Sequence, residues 1–186
     1  VEDEPVSINQ IKRFVADYEM NSGSRIPITC APDTGKKVAV IGGGPAGLSC
    51  AFFLRRIGHQ VDIFEAMPKL GGIVRYGIPE YRLPKKVLDW EIQGILDLGI
   101  KAFTYVKFGV DFGLGSLMAS GYNAVFFGIG AWKDYALGID GEDLDGCYKG
   151  IDWLQSFSSG QEMKLGKRAA IVGGGNSAID CVRTLI

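Results

Sequence analysis

Residues 38–66 are VAVIGGGPAGLSCAFFLRRIGHQVDIFEA. An apolar run at 38–41 is followed by a cluster of glycines, and a second segment with alternating apolar residues, 61–65, follows Gly58. Short apolar runs are typical of parallel strands that are buried on both faces, and glycine commonly ends a helix. The stretch therefore predicts a strand, a helix over 45–57 and a second strand. Together these elements form one βαβ unit of an α/β, Rossmann-like fold with a parallel sheet.

Three glycines in this stretch, Gly42, Gly44 and Gly47, have the spacing G-x-G-x-x-G directly after the first strand. We expect Gly42 to allow a tight turn, Gly44 to let the backbone approach a pyrophosphate, and Gly47 to let helix and strand pack closely. The phosphates would lie at the helix N-terminus, beside Pro45 and Ala46, where free N–H groups and the helix dipole favour anions. The alternative is a glycine-rich turn without a ligand.

An acidic residue, Glu65, ends the second strand. A carboxylate at this position is expected to accept hydrogen bonds from an adenosine ribose, and it disfavours a 2′-phosphate. The first site should therefore hold FAD or NAD rather than NADP. The pair Gly71-Gly72 follows closely and can bring backbone N–H groups to the phosphates or ring of a flavin, which favours FAD.

The rest of the chain predicts further helices and strands. Apolar spacing predicts a short N-terminal helix over 6–20, with Ser7 as its N-cap, and a linker over 21–36. Further predicted elements follow the βαβ unit: a helix over 85–98, one or two strands within 100–108, a short helix over 114–121, a strand within 123–131 and a helix over 149–157.

A second glycine motif closes the sequence, AAIVGGGNSAIDCVRTLI at 169–186. The apolar run 169–172 predicts a strand, and the pattern after it is G-x-G-x-x-A. Three consecutive glycines form the turn: Gly173, Gly174 and Gly175. This is the first βα unit expected of a second Rossmann-like domain, one that binds a dinucleotide.

Three polar residues follow those glycines. We expect Asn176 and Ser177 to cap the helix and to reach the phosphates of the nucleotide. Asp180 is expected to cap the helix or to form a salt bridge rather than to bind a cofactor.

Composition excludes several classes of protein. The 186 residues have a net charge of −1, so they offer no basic field for nucleic acid or for a membrane surface. The apolar runs are too short to span a bilayer. The four cysteines are scattered without a C-x-x-C pair and His59 is the single histidine, so no metal site and no redox-active disulfide is expected. The polar start VEDEPVSINQ is unlike a signal peptide, and we expect a cytoplasmic location.

Four stretches together resemble the glutamate synthase small (β) subunit family. They are PVSINQIKRFVADYE at 5–19, VAVIGGGPAGLSCA at 38–51, FEAMPKLGGIVRYGIPEYRLPK at 64–85 and AAIVGGGNSAIDC at 169–181. The FAD/NADPH module of dihydropyrimidine dehydrogenase is similar, and adrenodoxin reductase is a more distant relative. Disulfide reductases share both glycine motifs but need a cysteine pair that this sequence lacks.

The resemblance implies an NAD(P)H-dependent FAD oxidoreductase. NADPH, or NADH, would reduce FAD, and electrons would pass to 4Fe–4S clusters in a segment N-terminal to the first helix. A large catalytic subunit, a ferredoxin or another Fe–S partner would then receive them. No catalytic side chain is expected, because the cofactors carry the chemistry. The resemblance also implies an interior fragment without the Fe–S and C-terminal portions, which a natural stop codon directly after Ile186 would contradict.

The resemblance implies a set of FAD contacts as well. They are Gly42, Gly44, Pro45, Ala46, Gly47, Glu65, Leu70, Gly71, Gly72 and Arg82. Arg82 would meet the phosphates of the flavin, its alternative being a surface arginine, and Arg75 is a weaker candidate. A turn formed by Gly128, Gly130 and Ala131 would pass near the flavin.

We therefore expect three parts. They are an N-terminal helix and linker at 1–36, an FAD-binding domain at 37–135, and a crossover with the start of an NAD(P)H-binding domain at 136–186. The expected function is that of an electron-transfer flavoprotein module. Two alternatives are a flavoprotein that acts directly on a small substrate and a non-catalytic nucleotide-binding fragment.

Overall fold

The computed structural model describes residues 5–185 and contains one parallel sheet with helices around it. The sheet has four strands in the order β3-β2-β1-β4, all parallel. The strands are β1 at Lys37–Ile41, β2 at Gln60–Phe64, β3 at Lys101–Phe103 and β4 at Ala124–Phe127. This arrangement confirms the predicted α/β class and the parallel, Rossmann-like sheet.

Seven helices are present in the described residues. They are α1 at Ile8–Ser22, α2 at Pro45–Arg56, α3 at Ile73–Tyr76, α4 at Lys85–Leu96, α5 at Leu114–Ala119, α6 at Gly150–Ser158 and α7 at Asn176–Arg183. Only α3 is absent from the predictions, because one helical turn is too short to show a periodicity. Across residues 5–185, no helix combines the length and the apolar character needed to cross a membrane.

The predicted βαβ unit is confirmed. The central strand β1 pairs with β2 on one side and with β4 on the other, so Val40 lies opposite both Ile63 and Phe126. Helix α2 connects β1 to β2, and Gly58 follows its end with φ +94°. Since all four strands are parallel, their carboxyl ends meet at one edge of the sheet.

Apolar side chains cover both faces of the sheet. One cluster lies between the sheet and helices α2 and α4: Val40, Leu48, Ile63 and Ile92. A second cluster lies on the opposite face: Ala39, Ile41, Leu117 and Tyr122. Burial of apolar side chains such as these supplies the main favourable free energy of folding. The sheet is thus a packed support for the loops at its carboxyl edge.

A buried carboxylate, Asp62, lies at the middle of β2, and its partners lie near the amino ends of β1 and β4. Its Oδ2 atom accepts a hydrogen bond from the Tyr122 hydroxyl at 2.6 Å and lies 2.9 Å from Lys37 Nζ. A buried charge needs such partners, because its desolvation is otherwise costly. The hydrogen bond to Asp62 raises the pKa of Lys37, so the lysine stays charged at neutral pH.

The N-terminal helix α1 presents its apolar face to solvent. Ser7 occupies the predicted N-cap position, but its side chain makes no capping hydrogen bond. None of the residues of α1 is buried. The exposed apolar side chains are Ile8, Ile11, Phe14, Val15 and Tyr18.

The linker after α1 is attached to the end of α2. The Ala31 N–H donates to the Arg56 carbonyl at 2.8 Å, and the Thr34 N–H donates to the Gly58 carbonyl at 3.0 Å. A Cβ on Gly58 would overlap the carbonyl oxygen of Pro32. The linker therefore supplies donors for carbonyls that the helix end leaves unpaired.

One predicted strand is wrong. The apolar run at 169–172 forms no strand, and Val172 is 76% exposed. A strand exists through hydrogen bonds to a neighbouring strand, and within residues 5–185 none lies beside this run. The helix that follows, α7, forms as predicted. The second βα unit thus has its glycine turn and its helix but no strand pairing.

The contact between α2 and β1 depends on Gly47. A Cβ there would overlap the carbonyl oxygen of Gly42 and lie 3.1 Å from Val40 Cγ1. We expect Gly47→Ala to lower the free energy of unfolding by about 3 kcal/mol, because the helix would have to move away from the strand. Urea unfolding followed by circular dichroism measures this loss.

Gly44→Ala is the matched control for that variant. A Cβ on Gly44 would lie 3.6 Å from Gly72 Cα, which is an ordinary van der Waals contact. Its φ of −80° also suits alanine. We expect a change within about 1 kcal/mol. Equal losses in the two variants would contradict the packing role of Gly47.

Candidate functional site

Three loops meet at the carboxyl edge of the sheet, and they follow β1, β2 and β4. The Gly42 N–H donates to the Phe64 carbonyl at 2.8 Å, and the Gly128 N–H donates to the Ile41 carbonyl at 2.8 Å. Gly42 has φ +101°, and a Cβ there would overlap the carbonyl oxygen of Gly128. The predicted tight turn at Gly42 is confirmed, and these loops pack backbone against backbone.

The carboxylate of Glu65 holds the loop after β1 in place. Its Oε2 atom accepts a hydrogen bond from the Gly43 N–H at 2.6 Å, and Oε1 accepts one from the Met67 N–H at 2.8 Å. Glu65 is only 7% exposed. Hydrogen bonds to an ionised acceptor are about twice as strong as neutral ones. The carboxylate is therefore held in one orientation, and each oxygen keeps a lone pair for a further donor.

The N-terminus of α2 lies beside this carboxylate. Gly44 is the N-cap and supplies no side-chain acceptor, and Pro45 is the first helical residue. The N–H groups of Ala46 and Gly47 belong to the first turn, which has no intrahelical acceptors. A Cβ on Gly44 would make only the ordinary contact with Gly72. The chain's own packing does not require glycine at position 44, so the missing Cβ leaves space at an end of the helix that favours anions.

The pair Gly71-Gly72 packs directly on this first glycine loop. The Gly71 N–H donates to the Gly43 carbonyl at 2.7 Å. Gly72 has φ +54°, and a Cβ there would lie 2.8 Å from Gly44 Cα. A Cβ on Gly43 would in turn overlap Leu70 Cδ2. The expectation that both glycines offer N–H groups to a ligand is wrong for Gly71, because its N–H is already used within the chain.

A buried arginine, Arg75, keeps the glycine pair in this position. Its Nε donates to the Leu70 carbonyl, and its Nη2 forms an ion pair with Asp89 of α4. The hydroxyl of Tyr76 accepts a hydrogen bond from the Lys69 N–H at 3.0 Å. The sequence marks Arg75 only as a weak cofactor contact, and it misses this role because no motif identifies a backbone carbonyl as the partner.

Arg82 lies against α7. Its Nε and the Tyr81 hydroxyl both donate to Oδ1 of Asp180, the hydroxyl at 2.7 Å. The predicted salt bridge of Asp180 is thereby confirmed. Burial opposes the charge on Asp180, but the hydrogen bonds from Arg82 and Tyr81 outweigh burial, so the pKa of Asp180 lies below its ordinary value. The side chain of Arg82 is 38% exposed and is therefore only partly a surface arginine.

The turn after β4 divides into a packed and an exposed part. A Cβ on Gly128 would lie 3.1 Å from Gly47 N, so Gly128 belongs to the packed loops. Gly130 has φ +72°, and both it and Ala131 are exposed.

The second glycine motif is open to solvent. Gly173 has φ +124°, and a Cβ on Gly174 or Gly175 would meet no heavy atom within 4 Å. Gly175 is the N-cap of α7 and offers no side-chain acceptor. The expectation that Asn176 and Ser177 cap the helix is wrong, because both lie in its first turn.

The part of the chain that the structure describes brings no metal-ligand cluster together. Within residues 5–185, no group of three or more histidine, cysteine, aspartate or glutamate side chains could hold a metal ion. The four cysteines are free thiols: Cys30, Cys50, Cys147 and Cys181. Burial raises the pKa of the Cys181 thiol.

A comparison with protein families assigns the fold and its glycine motifs to one class. Residues 36–186 match the family described as pyridine nucleotide-disulphide oxidoreductase. The match covers most of the chain, so the chain belongs to this family.

Named relatives place the chain more closely within that class. It is 39% identical to the NADP(+)-dependent formate dehydrogenase subunit beta of Moorella thermoacetica, covering 99% of this chain and 29% of that protein. It is 39% identical to the NADPH-Fe(3+) oxidoreductase subunit beta of Geobacter sulfurreducens, covering 99% and 28%. It is 35% identical to the glutamate synthase (NADPH) small chain of Escherichia coli, covering 97% and 40%.

These relatives confirm the resemblance to the glutamate synthase small subunit family. The chain spans only 28 to 40% of the length of the three relatives named above.

Two solved structures share the fold. A complex of 2-naphthoyl-CoA reductase with 2-naphthoyl-CoA superposes with a TM-score of 0.62 at 26% identity, covering 86% of this chain and 23% of that one. FprA from Mycobacterium tuberculosis in complex with NADPH gives a TM-score of 0.60 at 26% identity, covering 69% and 29%. Both agree with the Rossmann-like sheet described above.

Glu65 offers a direct test of the geometry at the sheet edge. Glu65→Gln replaces one carboxylate oxygen with an NH₂ group, so either the Gly43 or the Met67 N–H loses its acceptor. We expect the free energy of unfolding to fall by about 1–3 kcal/mol. Urea unfolding measures it, with the exposed Glu91→Gln of α4 as the control, which should change it by less than about 0.5 kcal/mol. A Glu65 variant as stable as this control would contradict the role assigned to the carboxylate.

Proposed function

We propose that this chain is part of an NAD(P)H-dependent FAD oxidoreductase, in which the first glycine motif holds FAD and the second holds NADPH. The observation that carries the proposal is the space at Gly44. Packing within the chain accounts for glycine at positions 42, 43 and 47, whereas position 44 tolerates a Cβ. A glycine that the protein itself does not need, at a helix N-terminus, suits a bound pyrophosphate.

The residues around Gly44 fit the remaining parts of FAD. The Glu65 carboxylate keeps acceptor positions for ribose hydroxyls, and its negative charge disfavours a 2′-phosphate. The first-turn N–H groups of Ala46 and Gly47, after Pro45, would hold the phosphates.

Five further contacts are proposed for the flavin half of the cofactor. Leu70 and the Gly72 N–H border the same loop, whereas Gly71 acts by supporting it. The Nε of Arg82 is used by Asp180, so only its Nη nitrogens remain for a phosphate. Gly130 and Ala131 would line the flavin from the turn after β4.

The chain's task in this reaction is to bind and orient, because the chemistry belongs to the cofactors. FAD, when bound, accepts a hydride and can give up electrons one at a time. Glu65 and the helix N-terminus would fix the adenosine and phosphates. No side chain is assigned as a catalytic acid or base.

The proposal for NADPH rests on the second motif and on the relatives. Gly173, Gly174 and Gly175 would approach the phosphates, with Asn176 and Ser177 in the first turn of α7 as additional donors. The Geobacter and E. coli relatives carry NADPH in their names, which favours NADPH over NADH.

The proposed electron acceptor is a partner. The relatives are named as a beta subunit or a small chain. A large catalytic subunit, a ferredoxin or another Fe–S protein would fill this role, with 4Fe–4S clusters in a segment N-terminal to α1. The domain limits 1–36, 37–135 and 136–186 and a cytoplasmic location belong to the same proposal.

Flavin binding is the experiment that tests the first site. The full natural chain is loaded with FAD, desalted, and its visible spectrum recorded. We expect a retained flavin band. We also expect Gly44→Ala to weaken FAD binding at least tenfold, while urea unfolding of the FAD-free chain stays close to wild type. Gly115→Ala is the matched control, because a Cβ there meets nothing within 4 Å.

The outcomes separate the proposal from its alternatives. A wild-type chain that holds no flavin but binds ADP-ribose compounds would favour the non-catalytic nucleotide-binding fragment. A flavin that NADPH does not reduce, but that a small substrate does, would favour direct oxidation of that substrate. Equal FAD affinity in the Gly44 and Gly115 variants would contradict the assigned pyrophosphate position.

A further inference from the structure

A buried aspartate connects the loop before α4 to the helix that carries the second glycine motif. Asp180, in the second turn of α7, is 5% exposed. Its Oδ1 atom accepts from the Tyr81 hydroxyl at 2.7 Å and from Arg82 Nε. The guanidinium carbon of Arg183 lies 3.8 Å from the centroid of the Tyr81 ring. Two residues of the loop and two residues of α7 thus interlock.

Both sides of this contact are firmly attached to the elements that carry the glycine motifs. On the loop side, Lys85 Nζ donates to the Val74 carbonyl of α3 at 3.3 Å. Gly71, just before α3, donates its N–H to the Gly43 carbonyl of the first motif at 2.7 Å. On the other side, Asp180 lies five residues beyond Gly175 on the same short helix. A shift of α7 against the loop would therefore move the second motif relative to the first.

The charge of the Asp180 carboxylate favours a single arrangement of its contact with Tyr81 and Arg82. A buried carboxylate that loses a charged partner is left with a large desolvation cost, so intermediate arrangements are unfavourable. The hydrogen bonds from Arg82 and Tyr81 outweigh burial and keep the pKa of Asp180 below its ordinary value. Burial keeps the pKa of Tyr81 above its ordinary value, so its hydroxyl remains a donor. The contact therefore persists between pH 5 and 9.

We propose that Asp180 is a positioning residue, which through Tyr81 and Arg82 sets the second glycine motif at a fixed place relative to the first. This inference rests on the proposed function, in which the two motifs hold the nicotinamide dinucleotide and FAD. Hydride transfer needs the two reacting rings in contact and aligned, and a misplacement of about 1 Å can cost about a hundredfold in rate. Asp180 would thus act on the rate of transfer and not on the affinity for either nucleotide.

The test uses the full natural chain loaded with FAD, with ferricyanide as the electron acceptor. Each NADPH gives one hydride, which carries two electrons. Two ferricyanide ions then take one electron each, and one proton is released. Two variants weaken the contact: Asp180→Asn removes the charge at nearly constant shape, and Tyr81→Phe removes only the hydroxyl. Glu162→Gln, an exposed residue after α6, is the matched control.

We expect Asp180→Asn to lower kcat at least tenfold at every pH from 5 to 9. Its FAD content and its Kd for NADPH should stay within twofold of wild type. Tyr81→Phe should lower kcat about threefold, and Glu162→Gln should leave it unchanged. Amide hydrogen exchange over residues 176–183 should become faster in Asp180→Asn, which reports the loosened helix independently of turnover.

Several results would overturn the inference. An Asp180→Asn kcat within twofold of wild type, or unchanged amide exchange over α7, would show that the contact positions nothing. A rise in KM at constant kcat, or a loss of FAD, would make Asp180 a binding or structural residue. A wild-type chain that binds FAD but does not oxidise NADPH would overturn the proposed function itself, whatever the exchange data show for α7.

Discussion

The rest of the site depends on Gly43, whose backbone joins three segments at once. Its N–H donates to the Glu65 carboxylate, and its carbonyl accepts from the Gly71 N–H. Its lack of a Cβ makes room for Leu70. Because β1 and β2 are neighbours in a parallel sheet, their ends already lie side by side. Gly43 turns that proximity into a fixed arrangement of the glycine loop, the acidic strand end and the glycine pair.

The glycines of the first motif divide into structural and open positions. Gly42 and Gly47 are required by contacts with Gly128 and with each other, and they hold α2 against β1. Gly44 has no such requirement. Arg75 and Asp89 support the arrangement from the side of α4. Within the first motif, Gly42, Gly43 and Gly47 therefore bring segments of the chain together, and Gly44 leaves space.

Sequence was sufficient for the sheet, the βαβ unit and the position of Glu65, because each depends on local pattern and on parallel geometry. It did not predict that the Gly71 N–H donates to a carbonyl within the chain. Nor did it predict the partners of Arg75, which include a backbone carbonyl. The prediction of a strand at 169–172 is wrong for a related reason, because strand formation depends on a neighbouring strand and not on the segment alone. Asp180 is an intermediate case. The sequence predicted that it could form a salt bridge, but not that Arg82 would be its partner.

The attachment of the linker to the end of α2 bears on where this chain can vary in length. The Ala31 N–H pairs with the last carbonyl of α2 and the Thr34 N–H with the Gly58 carbonyl just beyond it, and Gly58 leaves space for Pro32. An insertion at 27–30 would lengthen an exposed loop at small entropic cost. An insertion at 31–34 would instead take donors away from the helix. A fusion of this module to another domain should therefore join the two chains before residue 31.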